Sequence, residues 1–129
     1  MKVFNLICVR KTEFENGELI LTNPLGDVQL PSLSHSFSFE IAFGVAEWGD
    51  DSQNQLRVTI EDSEKCLIFD SHYVNVPRPD LENCGILGLK LNDFEFSNYG
   101  KHTVKVIEDD KVLADTIFFI SERSNNDGI

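Results

Sequence analysis

From Phe37 to Val45 every odd position is large and apolar (Phe37, Phe39, Ile41, Phe43, Val45), while the even positions are Ser38, Glu40, Ala42 and Gly44. Successive side chains of an extended strand point to opposite faces, whereas a helix would set Glu40 and Gly44 on the apolar stripe. The pattern predicts a half-buried strand. The same alternation returns at Leu56, Val58 and Ile60, with Arg57, Thr59 and Glu61 opposite, and at Leu87, Leu89 and Leu91, with Gly88, Lys90 and Asn92 opposite. Three further runs, 3–9, 66–69 and 112–120, are apolar on both phases, so alternation leaves their inward face open. In the last of them Asp115 shares a phase with Leu113, Ile117 and Phe119; either Val112, Ala114, Thr116 and Phe118 form the core face or Asp115 needs a buried partner. Between Leu91 and Phe94 the apolar phase slips by one residue, which marks a bulge or corner hinged at Asn92 and Asp93.

Turn chemistry separates these runs at short intervals and leaves no room for a long helix. Asn16-Gly17 is the strongest hairpin signal, because both residues accept the positive φ of a type I′ turn, though a strict two-residue loop would set Glu15 against Glu18. Glu108-Asp109-Asp110 closes a second pair of runs. Many short strands joined by turns predict an all-β, Greek-key β-sandwich of seven to nine antiparallel strands. Residues 1–120 read as one domain, and the polar, aperiodic 121–129 as a disordered tail.

Phe96-Ser97-Asn98-Tyr99-Gly100-Lys101-His102-Thr103-Val104-Lys105-Val106, followed by an acidic turn and Leu113 to Ile120, resembles the closing hairpin of immunoglobulin-like sandwiches. In those domains a Gly starts the penultimate strand and an aromatic follows two residues later; His102 stands here where the pattern more often has Tyr. Together with the strands at Phe37 to Ala46 and Leu56 to Asp62, the order is similar to a family of small prokaryotic and phage β-sandwiches with no assigned activity. The resemblance runs from Val3 to Phe119. It implies an immunoglobulin-like fold and a phage or mobile-element source, and it carries no functional residue over.

The 129 residues hold 22 Asp plus Glu against 11 Lys plus Arg, a net charge of −11. With no clustered cations to neutralise phosphates, direct nucleic-acid binding is not expected, and an anionic membrane surface would repel the chain. No apolar stretch approaches the eighteen or so residues that span a bilayer. The start, Met1 to Arg10, lacks the long apolar run and cleavage site of a leader, so the expected location is cytoplasmic. Cys8, Cys66 and Cys84 are odd in number and contain no C-x-x-C pair, which predicts free thiols.

Catalytic chemistry finds only scattered raw material in His35, His72 and His102 with the three cysteines, so no enzyme activity and no cofactor are expected. The acidic clusters Glu47/Asp50/Asp51, Glu61/Asp62/Glu64 and Glu108/Asp109/Asp110 lack the alternating spacing of a calcium loop, and no metal site is expected. The leading reading is an acidic module that binds a protein partner, a basic one in its sharper form, through a sheet edge or end loops, or that assembles with its own copies. Trp48, Asp50, Asp51, Glu108, Asp109 and Asp110 are its candidate contact residues, with Trp48 either an exposed anchor or a plug at the end of the core. Two alternatives stand beside it: occlusion of a host nucleic-acid enzyme by acidic mimicry, and carbohydrate binding by Trp48, Tyr73 and Tyr99.

Overall fold

The computed structural model describes residues 1–48, 54–78 and 83–124. Ten strands follow in chain order: β1 (Lys2–Glu15), β2 (Glu18–Pro24), β3 (Asp27–Leu30), β4 (Phe37–Ala46), β5 (Gln55–Glu61), β6 (Leu67–Asp70), β7 (Val74–Asn75), β8 (Cys84–Phe94), β9 (Gly100–Glu108) and β10 (Lys111–Glu122). They form one sheet in the order β2-β1-β4-β8 and a second in the order β3-β10-β9-β5-β6, with two-residue β7 paired to β5. Strands β4, β5, β8 and β9 alternate between the sheets as B, C, E and F do in an immunoglobulin-like sandwich.

Two expectations need correction. Among the described residues the strands number ten, because β3 and β7 are too short to leave a periodic signal. They are not all antiparallel either: β3 runs parallel to β10, pairing Val28 with Ile120 and Leu30 with Glu122. That pairing carries β10 past the expected start of the tail, with Ser121 and Glu122 in the strand and the Arg123 amide donating to the Leu30 carbonyl. The remainder of the expected tail, 125–129, lies outside the described residues.

The core lies between the sheets and takes the phases that the alternation predicts: Phe39, Ile41, Phe43 and Val45 from β4, Leu56, Val58 and Ile60 from β5. Phe39 sits at its centre, 5.7 to 5.9 Å by ring centroid from Phe94, Phe96 and Phe118, and so ties β4 to β10 across the interlayer. Complete burial of such a ring contributes about 2–3 kcal/mol of transfer free energy. In β10 the open choice falls to the even phase only beyond the register shift between Val112 and Ala114: Phe118 and Ile120 are buried and Asp115 is exposed, opposite Lys105 of β9, whereas before the shift Val112 is exposed and Leu113 packs on the core. The slip in β8 is present where expected, with the β4–β8 register shifting between Phe37 and Phe39 and Asp93 at φ 53°. Ser38 Oγ accepts the Asp93 amide there, at 2.9 Å.

Strand β1 serves both phases by a bulge. Asn5 adopts φ 52°, the register against β4 shifts between Phe4 and Ile7, and Val3 and Cys8 thereby both reach the core. A straight β1 would hold Phe14, and Leu19 opposite it, roughly 33 Å beyond Phe4. Yet Leu19 and Leu21 share a 100 Å³ cavity with Phe4, Ala42, Gly44 and Ile86, so the β1–β2 hairpin bends back over the outer face of its own sheet. The cover explains why Val9, Glu40, Ala42 and Gly44, all on that outer face, are buried. Glu40 anchors it, accepting the Thr12 amide at 2.5 Å and the Thr12 hydroxyl at 3.3 Å.

Candidate functional site

The candidate contact residues divide. Trp48 and the Glu108–Asp110 turn come to the same end of the sandwich, because Lys2 is in register with Ala46 and the Met1 amine lies 3.6 Å from Glu108 Oε1. Asp50 and Asp51 lie outside the described residues. Trp48 is partly buried and packs on the core, the position of a plug, and its Nε1–H is buried with no hydrogen-bond partner among the described residues. Asp109 and Asp110 take φ 48° and 63°, the pair of positive values that a type I′ turn needs. Tyr73 closes over this turn, its hydroxyl accepting the Asp110 amide at 3.1 Å.

The other titratable groups are spread rather than assembled. His72 is exposed beside Asp70, and Asp70 accepts from Arg57 Nη2 and Nε, at 2.7 and 2.9 Å. The Arg57 guanidinium and the His72 amide hold the Asp70 carboxyl well below the ordinary carboxylate range. Asp62 is buried and accepts the Glu64 and Cys66 amides, each at 2.9 Å, which gives it a turn-forming role. Among the described residues no group of three His, Cys, Asp or Glu is placed to hold a metal ion.

His102 is the one histidine in the core. Its Nδ1 lies 3.0 Å from the Gly100 carbonyl, its ring stands edge-on to Phe96, and Nε2 is buried without a partner among the described residues. Burial pulls its pKa below the ordinary 6.5, against smaller opposing effects of the Gly100 carbonyl and Asp62.

A feature the sequence reading did not single out is the free edge of β8. The first sheet ends on this strand, and among the described residues nothing pairs with its far side. Where a constant-type immunoglobulin domain sets strand D beside E, the equivalent edge here is open. Two apolar depressions flank it. On the core side Leu87 and Leu89 line a 150 Å³ cavity with Leu56, Val58, Val74 and Val76. On the outer side Ile86, itself exposed, borders the 100 Å³ cavity under the hairpin.

Of the four strands that end the two sheets, β8 is the least guarded; within the second sheet, β10 meets β3 only from Phe119 to Glu122 among the described residues. β3 and β6 are four residues each, and β2 ends on Asn23 at positive φ and Pro24. Short length and proline are the devices by which edges avoid unwanted pairing. β8 is eleven residues long, has no proline, keeps continuous register with β4 from Cys84 to Leu91, and carries one charge, Lys90, before Asp93. The sequence signal was there in Gly85-Ile86-Leu87-Gly88-Leu89, apolar on both phases, but it reads equally well as a covered strand.

No protein-family model matches the chain, and no curated protein matches it. Among solved structures the chain is similar to an immunoglobulin-like protein from Pseudomonas aeruginosa, at 13% identity and a TM-score of 0.47, over 93% of this chain and 97% of that one.

Proposed function

We propose that this protein is a non-enzymatic interaction module that docks an extended segment of a protein by adding it as a strand to β8. The observation that carries the reading is the conjunction at Ile86 to Leu89 of a long unpaired edge with an apolar depression on each side. In strand addition the main-chain bonds supply affinity, and alternate side chains enter pockets on the two faces. A guest here presents apolar residues on both phases.

The two alternative readings draw less support. The acids are dispersed over the hairpin (Glu13, Glu15, Glu18), the outer face of the second sheet (Glu61, Asp70, Asp115) and both ends, and Glu13, Glu40, Glu61 and Asp70 each face a cation. Mimicry of a phosphate backbone needs them aligned on one face. For a sugar site, Trp48 borders a 450 Å³ depression with Glu47, Arg78 and Asn83, but its indole is partly buried against the core, and the Tyr73 hydroxyl is engaged on Asp110.

The test is affinity capture from native extract with the wild-type chain and with an Ile86→Lys/Gly88→Lys chain, followed by hydrogen exchange on the captured complex. The reading predicts capture that the double variant loses, with protection gained at 84–92. Capture that survives the double variant, or protection confined to the 108–110 turn, contradicts it.

A further inference from the structure

Building on that reading of β8, we infer that the segment it accepts is β8 of a second copy, paired antiparallel about a two-fold axis at Gly88, so that two four-stranded sheets join into one of eight. The stretch Cys84 to Asn92 is self-complementary about that centre. Leu87 of one chain stands beside Leu89 of the other on the core side, next to the 150 Å³ cavity of each sandwich. On the outer side Ile86 faces Lys90, whose aliphatic stem covers it while the ammonium stays in water. Cys84 faces Asn92, and Gly88 faces Gly88. A two-fold interface of this kind needs one patch that fits itself, which is what an edge strand with matched phases provides.

Charge selects the same place. At −11 per chain, two copies repel over most of their surface, and the acids of the hairpin, the end turns and the second sheet's outer face would be brought together by most other contacts. Cys84 to Asn92 contains one Lys and no acid, so this strip meets a copy of itself without opposing carboxylates, and the single Lys90 is set against Ile86 rather than against its own counterpart. A strongly basic guest strand would gain from the net charge but find only Lys90 and apolar groups along the edge.

Gly88 makes the pairing testable. It is not at positive φ, and a Cβ built on it meets only the Ile41 carbonyl, at 3.9 Å, so a side chain fits on the outer face without disturbing the fold. At the two-fold axis Gly88→Lys sets two ammonium groups directly opposite each other, the arrangement that destabilises cross-strand pairs, and Gly88→Glu does the same with carboxylates. Ile86 gives a second handle away from the axis: Ile86→Glu faces the partner's Lys90 with opposite charge, and Ile86→Lys with like charge.

The experiment measures mass by light scattering after gel filtration, across micromolar to millimolar protein, with circular dichroism to verify that each variant is folded. The expected result is twice the 14.6 kDa chain mass for the wild type. Gly88→Lys and Gly88→Glu alone give the single-chain mass, and their equimolar mixture returns to the doubled mass. Ile86→Glu holds the dimer to lower concentration than Ile86→Lys. A wild-type dimer that Gly88→Lys and Ile86→Lys leave intact overturns the inference. A wild type that stays at single-chain mass throughout, with fast-exchanging β8 amides, overturns it as well but leaves the edge free for a foreign strand. Single-chain mass with protected β8 amides overturns both readings.

Discussion

The imidazole of His102 stacks on the ring of Phe118, with centroids 5.5 Å apart and planes 17° from parallel. A neutral ring is suited to that slot, and a charged one is not, since Nε2 has no partner among the described residues and burial lowers the pKa below 6.5. The folded state therefore binds fewer protons than the unfolded state in the window just below the ordinary histidine pKa. Stability is fully present above about pH 6.5 and falls as pH drops from there toward the lowered folded value. Urea midpoints at pH 7.5, 6.5 and 5.5 check this, and His102→Phe, which keeps an aromatic ring in the slot, is expected to flatten that slope. Asp70 acts in a different window: its folded pKa is depressed, so its contribution is lost only as pH falls below the ordinary carboxylate value of 3.8.

Phe4 and Gly44, partners in the β1–β4 register, also depend on each other. A Cβ on Gly44 would be driven into the Phe4 ring. Gly44→Ala is expected to destabilise by about 1–3 kcal/mol, the range for overpacking a filled site. Phe4→Ala opens the space, so the double variant should cost less than the sum of the two single changes. Chemical denaturation of the four chains measures that coupling.

Gly100 and Gly17 both hold positive φ, at 106° and 79°, but their surroundings differ. A Cβ at Gly100 would lie 2.9 Å from the Ser63 Cβ, whose hydroxyl donates to the Tyr99 carbonyl, whereas nothing lies within 4 Å of one at Gly17. Gly17→Ala should cost about 1 kcal/mol for its backbone conformation alone, and Gly100→Ala more. Thermal unfolding of the two variants should order them accordingly.

Burial pushes the Cys8 thiol up to about 12, while Cys66 and Cys84 are exposed. The thiolate is the reactive form. A disulfide reagent at pH 8 should therefore titrate two thiols quickly in the folded protein and the third only on unfolding. Rapid reaction at Cys8 would mean that the β1–β4 pairing opens readily.

Local rules carried the strands whose two faces differ. The alternations in β4, β5 and β8 placed Phe39, Val58 and Leu91 in the core, Asn16-Gly17 made the hairpin turn with Glu15 facing Glu18, and Asn92-Asp93 made the slip. What escaped is set by contacts distant in sequence. Glu40 reads as a solvent-facing residue of β4, and it is buried because a hairpin 28 residues earlier folds over it. β5 and β8 alternate alike, yet β5 is flanked on both sides while Leu87 and Leu89 are only half covered, since β8 ends its sheet. Edge position belongs to topology, so the apolar strip at Ile86 to Leu89 could be read from the sequence and its exposure could not.

Residue-by-residue amide exchange along β8, followed by NMR in dilute solution below the concentration of self-association, bears most directly on the open edge. In an antiparallel edge strand, amides facing the neighbour alternate with amides facing outward. Between Gly85 and Leu91 every second amide should exchange rapidly while its neighbours, bonded to β4, stay protected, and the fast set should slow as protein concentration rises. Uniform protection of all these amides at high dilution would mean that the edge is already covered within one chain, and the docking surface described above would not exist.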